Sequence, residues 1–306
     1  MTAGAGATLT PVQRVVDLHI HSTASDGSRA PEDVAAAAHA AGLTAIALTD
    51  HDTVGGVDAA RAAGERLGLR VITGVELSAE DNGREVHVLG LHLERLDAIE
   101  QAMEGFRQTR IDRAREMVGK LNALGIPVTI EAVLAEAGGG AVGRPHVARA
   151  VVAGGWVGDQ RDVFDRYIGY GKPANVPKAK LEFADAIALI HTAGGLAIVA
   201  HPGVDFNRTR VERAVGFGLD GLEVLHPSNS PDEQRRLRAL VEHFRLVSSG
   251  GSDWHGAENG PRTIGMMKVP IAILEQQEAR LAARRVAAAA PGAAPATAPA
   301  RAVEGA

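Results

Sequence analysis

In the stretch VDLHIHSTASDG, residues 16–27, His19 and His21 stand one residue apart behind a short apolar run, with Asp26 five residues further on. On a β-strand, side chains i and i+2 point to the same side, so the two imidazoles can grip one cation. Similar endings recur along the chain. TDHD at 49–52 carries His51 between Asp50 and Asp52, GVE at 74–76 ends in Glu76, and EVHVLG carries His87. Further on, AHPG at 200–203 carries His201, and SDWH at 252–255 carries Asp253 and His255, again i and i+2. Each of these residues lies at or just past the C-terminal end of a predicted strand, where parallel β/α folds gather their active sites. Singly, each has a plain structural use: His51 capping a loop, His201 filling the turn before Pro202, Glu76 pairing with an arginine. Jointly, those uses would need unrelated coincidences at the ends of six strands. Nitrogen and oxygen ligands without sulfur suit Mn²⁺, Zn²⁺ or Fe²⁺ better than Ca²⁺. Six histidines and three carboxylates exceed the needs of one ion, and two or three divalent ions sharing bridges are a device for displacement at phosphorus.

The elements that must position these groups follow from the patterning. Seven short β-branched runs read as strands: Arg14–Leu18, Thr44–Thr49, Arg70–Val75, Glu85–Leu91, Leu196–Ala200, Gly221–Leu225 and Arg245–Ser249. Between them, APEDVAAAAHAAG, GVDAARAAGERLG, FADAIALIHTAGG, RVERAVGFG and DEQRRLRALVEHF read as helices, several ending in a glycine suited to a C-cap. Alternation of this kind predicts parallel β/α units. It stops between about residues 96 and 180, a stretch that reads as a helical insertion bringing VGRPHVARAVV to the barrel mouth. Residues 1–13 read as a loose leader, and 287–306 as an Ala/Pro tail with too few large apolar groups to pack. The catalytic unit is therefore expected over 14–286.

Composition narrows the functions further. The chain of 306 residues has no cysteine, which excludes disulfides, thiolate metal sites and cysteine nucleophiles. A formal net charge of -5 without a Lys/Arg cluster argues against long nucleic acid as a partner, while a short anionic substrate drawn in by metal charge fits. No apolar run has membrane-spanning length and the N-terminus lacks a signal-peptide pattern, so no membrane partner and a cytoplasmic location are expected.

The motifs HIH, TDHD, GVE, AHPG and SDWH, in that order over about 240 residues, resemble those of the PHP (polymerase and histidinol phosphatase) family of metal-dependent phosphoesterases. The resemblance implies a distorted seven-stranded (β/α)7 barrel with a metal centre at its C-terminal mouth. It implies one ion held by His19, His21, Glu76 and Asp253, a second by Glu76, His87 and His201, and a third by Asp26, His51 and His255. A metal-bridging water beside Glu76 would attack phosphorus. GRPHVAR and EVLHPSNSPDE are similar to the stand-alone bacterial nucleotide phosphoesterase branch, which implies a small phosphorylated substrate. That is a 3′,5′-nucleoside bisphosphate or, with 5′-to-3′ trimming, a short RNA. Arg144 is then a candidate phosphate ligand, and His146 and His226 are candidates for phosphate contact or general acid. Asp50 and Asp52 are candidates for orienting His51, and Lys178 and Lys180 for facing the anion. Asn229 stands in HPSNS where a histidine is expected in relatives, which bears on substrate preference. The alternatives are a histidinol-phosphate phosphatase with the same metals, an amidohydrolase, which also begins with His-x-His, and a non-catalytic metal-stabilised docking module.

Overall fold

A computed structural model describes residues 14–138, 142–177, 180–260 and 262–289. The leader 1–13, most of the tail and Lys178 lie outside the described residues. Among the described residues nine strands form one sheet: β1 (Val15–Ile20), β2 (Ala45–Leu48), β3 (Arg70–Asp81), β4 (Arg84–Leu91), β5 (Leu181–Glu182), β6 (Leu196–Val199), β7 (Gly221–Leu225), β8 (Val247–Gly250) and β9 (Val269–Pro270). Their order is β8-β7-β6-β4-β3-β2-β1-β9, with β5 beside β3. The sheet is curled nearly into a barrel, because the segment after β8 runs back along β1. There Asp253 N–H donates to the His19 carbonyl at 2.9 Å and His21 N–H to that of Trp254 at 2.9 Å. The two strands absent from the sequence reading, β5 and β9, have two residues each, too few to show a periodicity.

The five stretches read as helices are α1 (Pro31–Ala40), α2 (Val57–Leu67), α7 (Phe183–Thr192), α8 (Arg208–Gly216) and α9 (Pro231–Phe244). They start and stop for local reasons. Pro231 opens α9 behind Ser230, whose hydroxyl accepts the Glu233 N–H, and α2 closes on Gly68 in the left-handed region at φ 68°. Between β4 and β5 stand α3 (Leu96–Ala123), α4 (Ile130–Ala137), α5 (Arg144–Ala153), α6 (Gln160–Val163) and a π-helical turn, Phe164–Ile168. They share an apolar cluster of their own, including Met117, Leu121, Val133, Val147, Val151 and Ile168. The last helix, α10 (Ile271–Ala289), overlaps the first residues of the Ala/Pro tract and packs against β8 and β1. No helix among the described residues is long and apolar enough to cross a membrane.

One expectation needs correction because it bears on the site. Not all units are parallel: β4 runs antiparallel to both β3 and β6. The cause is the two-residue turn Asn82-Gly83, with φ 53° and 78°, the pair that lets a tight hairpin match the strand twist. β3 is accordingly 12 residues long, and Glu76 lies in its middle. His87 stands near the start of β4, not its end, and reaches the mouth because that strand points the other way, in register with Ser78.

Candidate metal centre

His19 is the fifth residue of β1 and His21 is the residue that follows the strand, so strand alternation turns both rings to the mouth. Gly251 leaves room for His19: a Cβ there would lie 2.4 Å from the His19 backbone nitrogen. His19 Nε2 lies 3.1 Å from His21 Nε2, 3.1 Å from Glu76 Oε2 and 3.4 Å from Asp253 Oδ1. His21 Nε2 lies 3.2 Å from Glu76 Oε2 and 3.1 Å from Asp253 Oδ1. Four donors bound at about 2.0–2.1 Å around a tetrahedral ion would be roughly 3.3 Å apart, so this quartet has the dimensions of a first-row metal site.

Glu76 is the hub. Its Oε1 faces His87 Nδ1 and His201 Nε2, both at 3.0 Å, while its Oε2 also faces His51 Nδ1 at 3.3 Å. His51 is brought there by an isolated parallel bridge with Glu76. At the rim, Asp26 Oδ1 lies 3.3 Å from His255 Nε2 and 3.7 Å from His21 Nδ1, and Asp26 Oδ2 lies 3.9 Å from His51 Nε2. His21 Nδ1 and His51 Nδ1 are buried without a hydrogen-bond partner, which is costly for a polar atom unless a cation takes the lone pair. His201 and Asp253 have φ of 28° and 52°, left-handed conformations for residues that carry a Cβ.

The electrostatics follow from this crowding. Burial disfavours a charged His19, yet Glu223 and Glu76 outweigh it and push the imidazole well above the ordinary histidine value. Glu76, despite burial, is held well below the usual carboxylate range by His19 and the rings around it. His51 is pushed down to about 4 by burial and by the charges of His21 and His87, against the pull of Glu76. His87 is buried too, but bonds to Glu76 and Glu85 push it up to about 10. Ionised carboxylates among imidazoles are the donor set that a divalent cation replaces protons on.

The nine residues of the sequence reading thus converge in space. Of the three substrate-side candidates, two reach the centre. His226 is buried, with Nε2 3.4 Å from Asp253 Oδ2 and Nδ1 2.6 Å from Ser228 Oγ. His146 lines a cleft of about 650 Å³ together with Asp26, His51 and His87. Its Nδ1 accepts the Gly143 N–H at 2.9 Å, and burial with Arg149 nearby lowers its affinity for a second proton. The neutral ring therefore carries its proton on Nε2. Arg144 is instead packed with its guanidinium 5.9 Å over the Phe164 ring. Residues two apart on a helix do not share a face, so Arg144 and His146 leave α5 in different directions.

Asp50 and Asp52 do not hold His51. Asp50 accepts from Ser22 N–H, Ser22 Oγ and Ser25 Oγ, all at 2.7 Å, and so shapes the loop that carries Asp26. Asp52 accepts the Ser78 N–H at 2.8 Å and pairs with Arg110. Lys180 pairs with Glu80. Asn229 is turned inward, donating to the carbonyls of Glu223 and Val224 at 3.2 and 3.1 Å, so it fastens the loop after β7.

Sequence reasoning missed several groups. Glu223, fully buried in β7, sets its Oε1 3.0 Å from His19 Nδ1 and accepts the His201 N–H on Oε2 at 2.6 Å. One carboxylate thereby holds the ring of one candidate ligand and the backbone of another; the first contact is the outer-sphere arrangement that metal-bound imidazoles use. Asp17 accepts backbone N–H groups of Ser252 at 2.9 Å and Gly265 at 2.8 Å, tying β1 to the segment that bears Asp253. Their signal was a lone acid inside an apolar strand, VVDLH and GLEVL. Arg110 and Arg149 line the cleft wall opposite the histidines, and Arg262 pairs with Asp253. Nothing in the spacing marks these three.

Comparison with known proteins agrees with the geometry. The profile of the PHP domain matches residues 17–129. A 5′-3′ exoribonuclease of Haemophilus influenzae is 38% identical over a 249-residue alignment that covers 78% of this chain and 89% of that protein. A 3′,5′-nucleoside bisphosphate phosphatase of Chromobacterium violaceum is 36% identical over a 257-residue alignment that covers 82% of this chain and 90% of the relative. A crystal structure from Bifidobacterium adolescentis, assigned as a metal-dependent phosphoesterase, superposes with a TM-score of 0.73 at 31% identity, covering 89% of this chain and 98% of that one.

Proposed function

Because the chain belongs to the PHP domain family, we propose that this metal-dependent phosphoesterase acts on nucleotides, removing phosphate from 3′,5′-nucleoside bisphosphates and trimming short RNA from the 5′ end. The observation that supports this reading is the single carboxylate, Glu76, set among five imidazoles beside a cleft of about 650 Å³. That volume is in the range of small-ligand sites.

His19, His21, Glu76 and Asp253 would hold one cation; Glu76, His87 and His201 a second; Asp26, His51 and His255 a third. Mn²⁺, Zn²⁺ and Fe²⁺ all suit the donors. When bound, such ions acidify water and neutralise the charge that develops on phosphoryl oxygens. The chain's own groups do the rest. Glu76 keeps the imidazoles on one focus. Glu223 fixes the tautomer and angle of His19. Arg110 and Arg149 are held by Asp52 and Glu136, and their remaining donors receive the substrate's phosphates across the cleft. His146 offers its Nε2 proton to a phosphate or to the leaving oxygen.

The test is phosphate release with added Mn²⁺ from 3′,5′-adenosine bisphosphate, AMP, a short 5′-phosphorylated RNA and histidinol phosphate, for the wild type and His19→Ala. Preference for the bisphosphate or the RNA, lost in the variant, is the expected result. Preference for histidinol phosphate would overturn the nucleotide assignment.

A further inference from the structure

A second cavity, of about 660 Å³, lies outside the metal cup at the tip of the β3–β4 hairpin, against the start of α8. Its walls include Asp81, Arg84, Asp205, Asn207, Arg210 and Arg213. A smaller cavity of about 310 Å³ shares Arg84, Asp205 and Arg210 with it and is also lined by His87 and His201. The two adjoin across these shared residues, one reaching histidines of the cup and the other three arginines, and are taken together as one groove.

The arginines are preset rather than loose. Buried Asp81 accepts from Arg210 Nε at 2.7 Å and pairs with Arg213, while Arg84 pairs with Asp205 at the surface. The Arg210 guanidinium also lies 5.0 Å over the Phe206 ring. A guanidinium has five N–H donors, so these pairings fix the forks without exhausting them. Arg210 Nη2 is buried with no partner at all, a donor the fold leaves unexplained. The groove also meets the N-terminus of α8, capped by Asn207, where backbone N–H groups and the helix dipole favour an anion. In the larger cavity three guanidiniums and a helix N-terminus stand against Asp81 and Asp205, which leaves that end net positive, while Glu85 joins His87 in the smaller cavity nearer the cup.

Its position gives the ligand. Arg84 precedes His87 by three residues, about 10 Å along β4, and alternation turns it to the other face, where the residues shared by the two cavities join the sides. That is the reach of the next one or two nucleotides of an extended strand whose 5′ end sits in the cup. A mononucleotide bisphosphate, with both phosphates on one sugar, has no use for a cationic site so far along. We propose that the groove is a track for the downstream phosphates of a short single-stranded RNA, which separates its handling from that of mononucleotides. This rests on the phosphoesterase reading above.

Two measurements test it. The first is kcat/KM for 3′,5′-adenosine bisphosphate and for 5′-phosphorylated RNAs of two, four and six nucleotides, for wild type, Arg84→Glu and Arg213→Ala. The second is the binding of a 3′-labelled four-nucleotide phosphorothioate RNA against a labelled mononucleotide, read by fluorescence anisotropy at low and raised salt, which needs no turnover. Wild type is expected to gain tenfold or more in kcat/KM and in affinity from mononucleotide to four nucleotides. Arg84→Glu is expected to lose that gain through KM, with bisphosphate turnover within twofold of wild type, and Arg213→Ala to lose part of it. Equal length dependence in wild type and Arg84→Glu, or no length dependence in wild type, overturns the track while leaving the phosphoesterase reading intact. Failure of every substrate to turn over would sink that reading instead, and the anisotropy result would still decide the track.

Discussion

The metal cup and the wall that faces it across the cleft are built from different material. In the cup, His19, His21 and Glu76 have side chains at most 1% exposed, and each meets two or more polar atoms of its neighbours. Their positions follow from strand register, and Glu223 and Asp17 stitch the strands together beneath them. Across the cleft, Arg110, His146 and Arg149 ride on α3 and α5; α5 and the C-terminal half of α3 have an apolar cluster of their own, while the N-terminal half of α3 packs Ile99 and Met103 into that of the barrel. The difference teaches that metal-donor geometry here is a property of the sheet, whereas the width and charge of the cleft are set by helix packing. Changes to the first should act on metal content and turnover, and changes to the second on KM.

The largest effect belongs to the hub. Glu76→Gln keeps the volume but removes the charge that five imidazoles share; activity is expected to fall on the order of 10³-fold, with loss of bound metal by elemental analysis. Full metal content with activity within tenfold of wild type would break the comparison. Next comes Glu223→Gln, which leaves every proposed ligand in place: metal affinity by titration should weaken roughly 10- to 100-fold, with the circular dichroism spectrum unchanged. An unchanged affinity would show that the cup does not need its stitching.

The cup should also be pH-sensitive in a defined direction. His87, pushed up to about 10, and His19, pushed well above the ordinary histidine value, must release protons to bind a cation. His51, pushed down to about 4, has none to release. Metal affinity should therefore rise with pH between 6 and 8, by up to about tenfold per unit for each proton displaced. Isothermal titration in buffers of different ionisation enthalpy would count those protons; a count of zero contradicts the arrangement.

On the opposite wall the effects should be smaller and of another kind. Arg149→Ala removes a charged donor from the cleft and should raise KM roughly tenfold while kcat stays within about threefold. A fall in kcat with unchanged KM would move Arg149 to the chemistry. Smallest is Arg144→Ala, which loses a stacking contact with Phe164 worth about 0.5–1 kcal/mol in thermal unfolding and should leave both kinetic constants within twofold. A large rise in KM there would restore Arg144 as a phosphate ligand and erase the distinction drawn along α5.

Much of the cup was legible in the chain because metal donors must sit where strands deliver them. The i, i+2 pairs His19/His21 and Asp253/His255 show themselves by spacing alone, as do the acidic and histidine endings of β2 and β6. Glu223 and Asp17 were not legible as functional, since a single acid in an apolar strand looks like an interruption until its partners arrive from 204 and 235 residues away. The direction of β4 was misread because a buried strand has the same pattern in either sense, although Asn82-Gly83 carried the hairpin signal. Arg110 was invisible among the many charges of α3, and Arg144 looked as good as His146 until the helix turned one inward and packed the other on Phe164.

By itself, then, the sequence determined which residues meet in the cup, the barrel class and the absence of thiol chemistry, because residue type and two-residue periodicity are local properties that survive without coordinates. Tertiary structure decided which carboxylate stands at the hub, which acids hold the ligands and which arginines face the cleft. Those depend on contacts between residues far apart in the chain, and side-chain direction there is set by strand sense, helix phase and packing, none of which a linear pattern records.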